Sequence, residues 1–199
     1  GQGTIGLEIL NQLPNADVVV VPIGGGGLIS GIAYTIKQLK PNCKVYGVQA
    51  AGAPSMEHSI ADGEIETLDT VNTIADGIAV KTPGSLTYDL CNEYVDGIVT
   101  VSDDEIALAI LTLLEQQKLI AEGAGAVPVA AVMNGKIPDI DGKNVVCVVS
   151  GGNIDVTILS RVIERGLKMG GRTADIVIAL SDKPGQLSGV SQIIAEQGA

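Results

Sequence analysis

An α/β fold built on an open parallel sheet with helices on both faces is the class this sequence predicts, and three observations carry it. Two β-branched runs, Val18 to Ile23 and Val145 to Val149, are continuous rather than alternating, which is the pattern of strands buried on both faces. Each runs into a cluster of small residues, Gly24-Gly25-Gly26-Gly27 or Ser150-Gly151-Gly152-Asn153, and then into sequence of helical period. The core has to be aliphatic, because 46% of the 199 residues are hydrophobic while there are four Tyr and neither Phe nor Trp. The 26 glycines suit tight strand-to-helix turns better than a sandwich of bulky cross-strand pairs.

The elements follow in order. Gln2 to Leu10 has the look of a helix already under way, and the chain opens on Gly1 without an initiator Met, so the sequence is expected to be a piece of a longer protein. Val18 to Ile23 is the first strand. Leu28 to Lys40 follows as a helix with Leu28, Ile32, Ile36 and Leu39 on one face, and it stops at Pro41, which cannot continue the turn. Lys44 to Gln49 is the next strand, so the three together make a βαβ crossover. Ala50 to Gly63, rich in Ala, Gly, Pro and Ser, reads as loop with at most one helical turn. Gly84 to Tyr94 reads as helix and Gly97 to Val101 as strand. Ser102-Asp103-Asp104-Glu105 is a capping box, with Val101 and Ile106 spaced as the hydrophobic staple, and it starts a helix expected to reach about Leu119. Small residues from Ala121 to Val132 predict a closely packed helix, Val145 to Val149 a strand, and Ile154 to Lys168 a further helix. After Met169-Gly170-Gly171 the pattern restarts with a strand from Ala174 to Leu180, a turn at Asp182-Lys183-Pro184-Gly185 and a helix from Leu187 to Glu196. Two units are therefore expected, 1–170 and 171–199.

The net charge is −11, and the twelve Lys and Arg are scattered without a run, so no face for neutralising phosphates is visible and nucleic acid is excluded as a partner. No apolar stretch reaches the ~18 residues of a membrane span, and no basic, then hydrophobic, signal segment opens the chain. A cytoplasmic protein without a membrane partner is expected. Cys43, Cys91 and Cys147 are far apart, with no CxxC pair, and His58 is the single histidine and stands without a partner. Neither a metal site nor a disulfide framework is expected.

Four consecutive glycines between a buried strand and a helix let successive backbone N–H groups turn toward one point at the helix's positive end, which makes an anion cradle. A phosphate suits it. No Gly-Lys-Ser/Thr follows and no pair of glycines in this run continues into the GxGxxG frame, which excludes a nucleotide P-loop and a dinucleotide turn at this strand. The other reading of these glycines is a turn that only packs. Ser150 lies at the carboxyl end of the second buried strand, where open α/β sheets bind ligands. Its hydroxyl either meets a heteroatom of a bound ring or caps the helix expected from Ile154. Asp76-Gly77 forms a turn that either faces the site or only reverses the chain. Glu122 is either a site carboxylate or an acid favoured at a helix start.

Taken together, Gly1-Gln2-Gly3-Thr4, Gly24 to Leu28, Thr73-Ile74-Ala75-Asp76-Gly77, Glu122-Gly123-Ala124-Gly125 and Ser150-Gly151-Gly152-Asn153 resemble the fold type II pyridoxal-phosphate enzymes, in particular the threonine ammonia-lyase (threonine dehydratase) and serine dehydratase group. The resemblance implies that Gly24, Gly25, Gly26, Gly27 and Leu28 hold the phosphate of pyridoxal 5'-phosphate and that Ser150 hydrogen-bonds its ring nitrogen. Gly77 and Glu122 would lie beside the ring, and Gly151 would belong with Ser150 to the cofactor-binding set. It implies deamination of L-threonine, and of L-serine, to 2-oxobutanoate or pyruvate and ammonia by β-elimination of water, in a protein that is a homo-oligomer at full length. The group's Schiff-base lysine lies in a Ser-x-Lys-x-Arg segment that is missing here, so no catalytic residue is assigned and the chain by itself is expected to be inactive. Residues 172 to 199 resemble the start of an ACT domain, which implies a branched-chain amino-acid effector near Gly185, Gln186 and Leu187. Two rivals stand beside the lyase. One is a serine racemase, whose cation would need acids where Gln49, Ala53 and Ser55 stand. The other is a non-catalytic sensor of a phosphate ligand or an amino acid.

Overall fold

The β-branched run after Asp17 becomes the central strand of the sheet. In the computed structural model, which describes residues 1–198, α1 (Gly3–Gln12) leads into β1 (Val18–Pro22), α2 (Gly27–Leu39) and β2 (Lys44–Ala50). There follow α3 (Ser55–Asp62), α4 (Ser85–Tyr94), β3 (Gly97–Val101), α5 (Asp103–Thr112) and α6 (Gly123–Met133). The chain continues through β4 (Val145–Cys147), α7 (Val156–Met169) and α8 (Gln186–Glu196). Ala199, the last residue of the expected 171–199 unit, lies outside the described residues.

All four strands are parallel, in the order β3-β2-β1-β4. Val18 pairs with Lys44 on one side and Val145 on the other, and Tyr46 of β2 pairs with Gly97 of β3. Successive side chains of a strand point to opposite faces. Val18 and Val20 accordingly join a cluster with Ile106 and Ile110 of α5, Val127 of α6 and Val162 of α7. Val19 and Val21 join another with Ile29, Ile32 and Ile36 of α2 and Cys91 of α4. The sheet is thus covered on both faces, which is why its strands carry no polar side to read. Helix α7 lies close on α5 because Gly166 has no Cβ; one placed there would sit 2.9 Å from the Ala107 carbonyl oxygen.

Most of the expected elements are present within a residue or two, and the capping box at Ser102 forms in both directions, with Glu105 accepting the Ser102 N–H at 2.7 Å. Four expectations are corrected. Ala50 to Gly63 is not loop with a single turn but contains the eight-residue helix α3. The helix from Asp103 stops at Thr112, because the chain then widens into a π turn over Leu113–Gln117 and reverses at Lys118, φ 57°. The strand expected from Val145 to Val149 pairs only as far as Cys147. The strand expected over Ala174 to Leu180, and with it the sheet of an ACT unit, does not form among the described residues. Ile176 and Val177 are 69% and 97% exposed there, since a β-branched run becomes a strand only where another strand lies alongside to pair with it.

Candidate cofactor site

The site begins where β1 ends. Pro22 and Ile23 deliver the chain to Gly24–Gly27, and the four glycines divide into two kinds. At Gly26, φ is +91°, and a Cβ would lie 2.7 Å from Met56 Cε and 2.8 Å from Thr87 Cβ. At Gly24 a Cβ would lie 3.1 Å from Ile78 Cα. These two glycines are needed for packing and backbone conformation. At Gly25 and Gly27 a Cβ would meet nothing within 4 Å, so those two face open space. The Thr87 hydroxyl donates to the Gly25 and Gly84 carbonyls and ties the loop to α4.

The loop ends at the N-terminus of α2, where the first intrahelical bond runs from Ser30 N–H to the Gly26 carbonyl at 3.0 Å. The N–H groups of Gly27, Leu28 and Ile29 precede that bond and have no partner within the helix. Gly26 at the cap has no side chain to satisfy them, and the first turn of α2 carries no acid. Unpaired N–H groups, the positive end of a helix and room in front of two glycines fit a phosphate.

One cavity of about 240 Å³ collects these residues with the others singled out in the sequence: Gly24 to Gly27, Leu28, Gly77, Glu122 and Ser150 all line it, together with Pro22, Ile78 and Ala124. Gly151 is beside it, not on its wall, and its carbonyl accepts the Glu122 N–H at 3.1 Å. A Cβ on Gly151 would collide with the Glu122 carboxylate, and one on Gly77 would lie 3.5 Å from Glu122 Oε1. The two glycines therefore leave a slot for that carboxylate. Glu122 is the residue before α6 but makes no side-chain capping bond, so its carboxylate is not spent on the helix start. Ser150 does not cap the next helix either. Asp155 does so, accepting the Thr157 N–H and hydroxyl, and those bonds hold its carboxyl below the usual range. Asp76 opens a 3-10 turn, Asp76–Ile78, and accepts the N–H of Gly77 at 2.9 Å, so it shapes the turn that brings Gly77 to the cavity.

Several supporting residues carry no sequence signal. Asp103, beside the capping box, accepts the Thr73 hydroxyl at 2.6 Å and the Ile74 N–H at 3.2 Å, and so positions the segment leading to Gly77 from a distant element. Thr87 and Met56 flank Gly26 from two different helices. His58 is exposed on α3. Burial pushes the Cys91 thiol up to about 12 and the Cys147 thiol to about 11, which leaves both as neutral thiols rather than nucleophiles at neutral pH. Among the described residues no helix is long and apolar enough to cross a membrane.

A family model described as pyridoxal-phosphate dependent enzyme matches residues 1–151. The L-threonine ammonia-lyase of Thermotoga maritima is 54% identical over all 199 residues, which are 49% of its own length. Among solved structures, the processed form of threonine deaminase isoform 2 from Solanum lycopersicum superposes with a TM-score of 0.77 at 41% identity, covering 83% of this chain and 46% of that one. Serine racemase from Dictyostelium discoideum gives 0.73 at 41% identity, covering 78% and 50%. The chain spans about half the length of the curated relatives it matches. The stretch that the family model matches takes in the sheet, the glycine loop and Gly151 alike, and the chain belongs to the pyridoxal-phosphate dependent enzymes.

Proposed function

We propose that this chain supplies the phosphate seat and one wall of the ring pocket in a threonine ammonia-lyase, and that the full-length protein converts L-threonine, and also L-serine, to the 2-oxo acid and ammonia. The observation that carries the reading is the convergence of Gly25, Gly27, Leu28, Gly77, Glu122 and Ser150, from four separate segments, on a single cavity. The 54% identity to a protein named L-threonine ammonia-lyase supports threonine as the substrate.

What the cofactor supplies when bound is an electron sink that makes the α-proton of an amino acid acidic. The N–H groups of Gly27, Leu28 and Ile29 would hold its phosphate, and the Ser150 hydroxyl would meet its ring nitrogen. A hydroxyl there would offer that nitrogen a neutral hydrogen bond rather than the negative charge of a carboxylate, which suits β-elimination. Gly77 and Gly151 keep bulk away from the Glu122 carboxylate, which stands at the same cavity. None of the nine lysines of the chain lies in a Ser-x-Lys-x-Arg context, so the residue that would bond the cofactor covalently is not assigned here.

Two experiments test the reading. Full-length protein given pyridoxal phosphate and L-threonine should release 2-oxobutanoate; D-serine formed from L-serine without 2-oxo acid would establish the racemase instead, and cofactor binding without turnover the sensor. The 199-residue chain alone should give no borohydride-trappable lysine adduct, and a stoichiometric adduct would overturn the assignment of its lysines.

The tail carries the regulatory part of the proposal. Residues 171–199 are read as the beginning of an ACT-like unit separate from 1–170, in a homo-oligomer that responds to a branched-chain amino acid. Gly185, at φ +87°, caps the exposed helix α8; the Gln186 N–H turns back to the Lys183 carbonyl at 3.4 Å, and the N–H groups of Leu187 and Ser188, which precede the first intrahelical bond, suit a carboxylate. Isoleucine, valine or leucine should shift the rate curve of the full-length protein, and Gly185→Val should remove the shift while leaving the basal rate. A wild-type curve indifferent to all three amino acids rules the effector role out.

A further inference from the structure

Gln49 of β2 is fully buried, yet it is polar and only half satisfied. Its Oε1 accepts the Glu57 N–H at 2.9 Å, while its Nε2 and the hydroxyl of buried Ser55 have no hydrogen-bond partner in the protein. A buried amide with unpaired N–H groups is a poor choice for stability alone, since an apolar side chain of similar volume carries no such penalty. What the amide does accomplish is local. Helix α3 begins after Pro54, which offers no side-chain acceptor, and Ser55 does not cap it either. Gln49 provides that cap from the neighbouring strand, and so fixes where the first turn of α3 sits.

Met56 is in that first turn. It is fully buried, and its Cε occupies the space immediately behind Gly26, 2.7 Å from where a Cβ would be. Gly26 is the left-handed residue whose conformation aims the N–H groups of Gly27, Leu28 and Ile29. Gly26 thus has two supports, Thr87 from α4 and Met56 from α3, and the position of the second is set by Gln49.

We propose that Gln49 is a positioning residue for the anion cradle, acting through the first turn of α3 and Met56 on Gly26. The proposal rests on the reading of the glycine loop as the seat of the cofactor phosphate. Its test compares full-length wild type with Gln49→Met, Met56→Ala and the double variant, with Val162→Ala as a distant core control and Gly25→Asp as a control on the seat itself. Binding of pyridoxal phosphate and of inorganic phosphate is measured by equilibrium dialysis, the environment of the bound phosphate by its phosphorus NMR shift, and folding by thermal melting.

Gln49→Met keeps the volume and removes the unpaired amide but leaves the Glu57 N–H without its acceptor, two opposed effects, so the melting temperature should change by less than in Val162→Ala while cofactor affinity falls about tenfold and the phosphorus shift moves. Met56→Ala should weaken binding similarly, and the double variant should be little worse than either single change, because both act along one path. Val162→Ala should melt lower with binding and shift unchanged. Normal binding and an unmoved shift in Gln49→Met overturn the proposal. Should that variant fail to fold, normal binding by Met56→Ala overturns it equally. Normal binding by Gly25→Asp would instead remove the phosphate seat itself, a separate failure.

Discussion

The two ends of the sheet are built differently. At the amino end the strands are stitched by side chains. Asp17 accepts the Asn144 N–H at 2.8 Å beside β4, and Asp96 gathers the ammonium groups of Lys37 and Lys44 and the Val45 N–H, the last at 2.7 Å. Lys40 closes α2 onto the Pro14 carbonyl at 2.7 Å. At the carboxyl end the side chains are withdrawn: glycines stand at 24 to 27, 77 and 151, and helix N–H groups are left without partners. The polar groups of one end are spent on each other, and those of the other end are kept available. Stability and binding are therefore separable, and substitutions at the two ends should fail in different assays.

The largest effect is expected from Gly25→Asp. The new side chain has open space around it and precedes a helix start, where an acid is tolerated, so the fold should persist. A carboxylate in the proposed phosphate seat should cost at least ~3 kcal/mol of cofactor affinity, read by equilibrium dialysis. Affinity like wild type would mean that the carboxyl end is no more specialised than the amino end.

Asp96→Ala should do the reverse, lowering unfolding free energy by about 3 kcal/mol in urea titration, because two lysines and a backbone N–H lose their shared acceptor, while cofactor affinity holds. The same carboxylate makes this end sensitive to acid. Burial alone would raise its pKa, but the bonds from Lys37, Lys44 and Val45 outweigh burial and hold it below the usual carboxylate range. A folded pKa below the unfolded value of ~3.9 gives stability that is complete at neutral pH and is lost as the pH falls below about 4. Urea titrations across pH 2.5 to 7 should show that loss, and Asp96→Asn should flatten it. An unaltered acid limb would assign the loss to other carboxylates, such as Asp17, which the Asn144 N–H also holds low.

The smallest effect sharpens the boundary. Ser102 follows β3 at the carboxyl end but caps α5, away from the cavity. Ser102→Ala should lower stability by about 1 kcal/mol and leave cofactor binding alone, so that distance from the glycine loop, not position on the sheet, decides which assay responds.

What could be read from the sequence follows the same division between local and distant causes. β1, α2 and the capping box at Ser102 are legible because their causes lie within a few residues: a β-branched run, a proline stop, a Ser and a Glu three apart. The residues around the cavity are legible as motifs, since glycine clusters announce themselves. Helix α3 is not, because its cap comes from Gln49 on another strand and its own N-cap is a proline. The role of Asp103 in holding Thr73 is equally silent, as the two meet only through the fold. The error at Ala174 to Leu180 has the opposite origin: the composition suits a strand, but pairing is a property of a neighbour that the pattern cannot supply.

The strand order also sets an order in time. β1, β2 and β3 follow one another along the chain and pair as β3-β2-β1, so that part of the sheet can form while the chain is still being synthesised. β4 must return from far along the sequence to lie against β1, a contact that closes a long loop and forms slowly. Ser150 and Gly151 come in with it. A nascent chain would then possess its glycine loop well before Ser150 joins the cavity, and cofactor uptake would report on the docking of β4 rather than on collapse of the core.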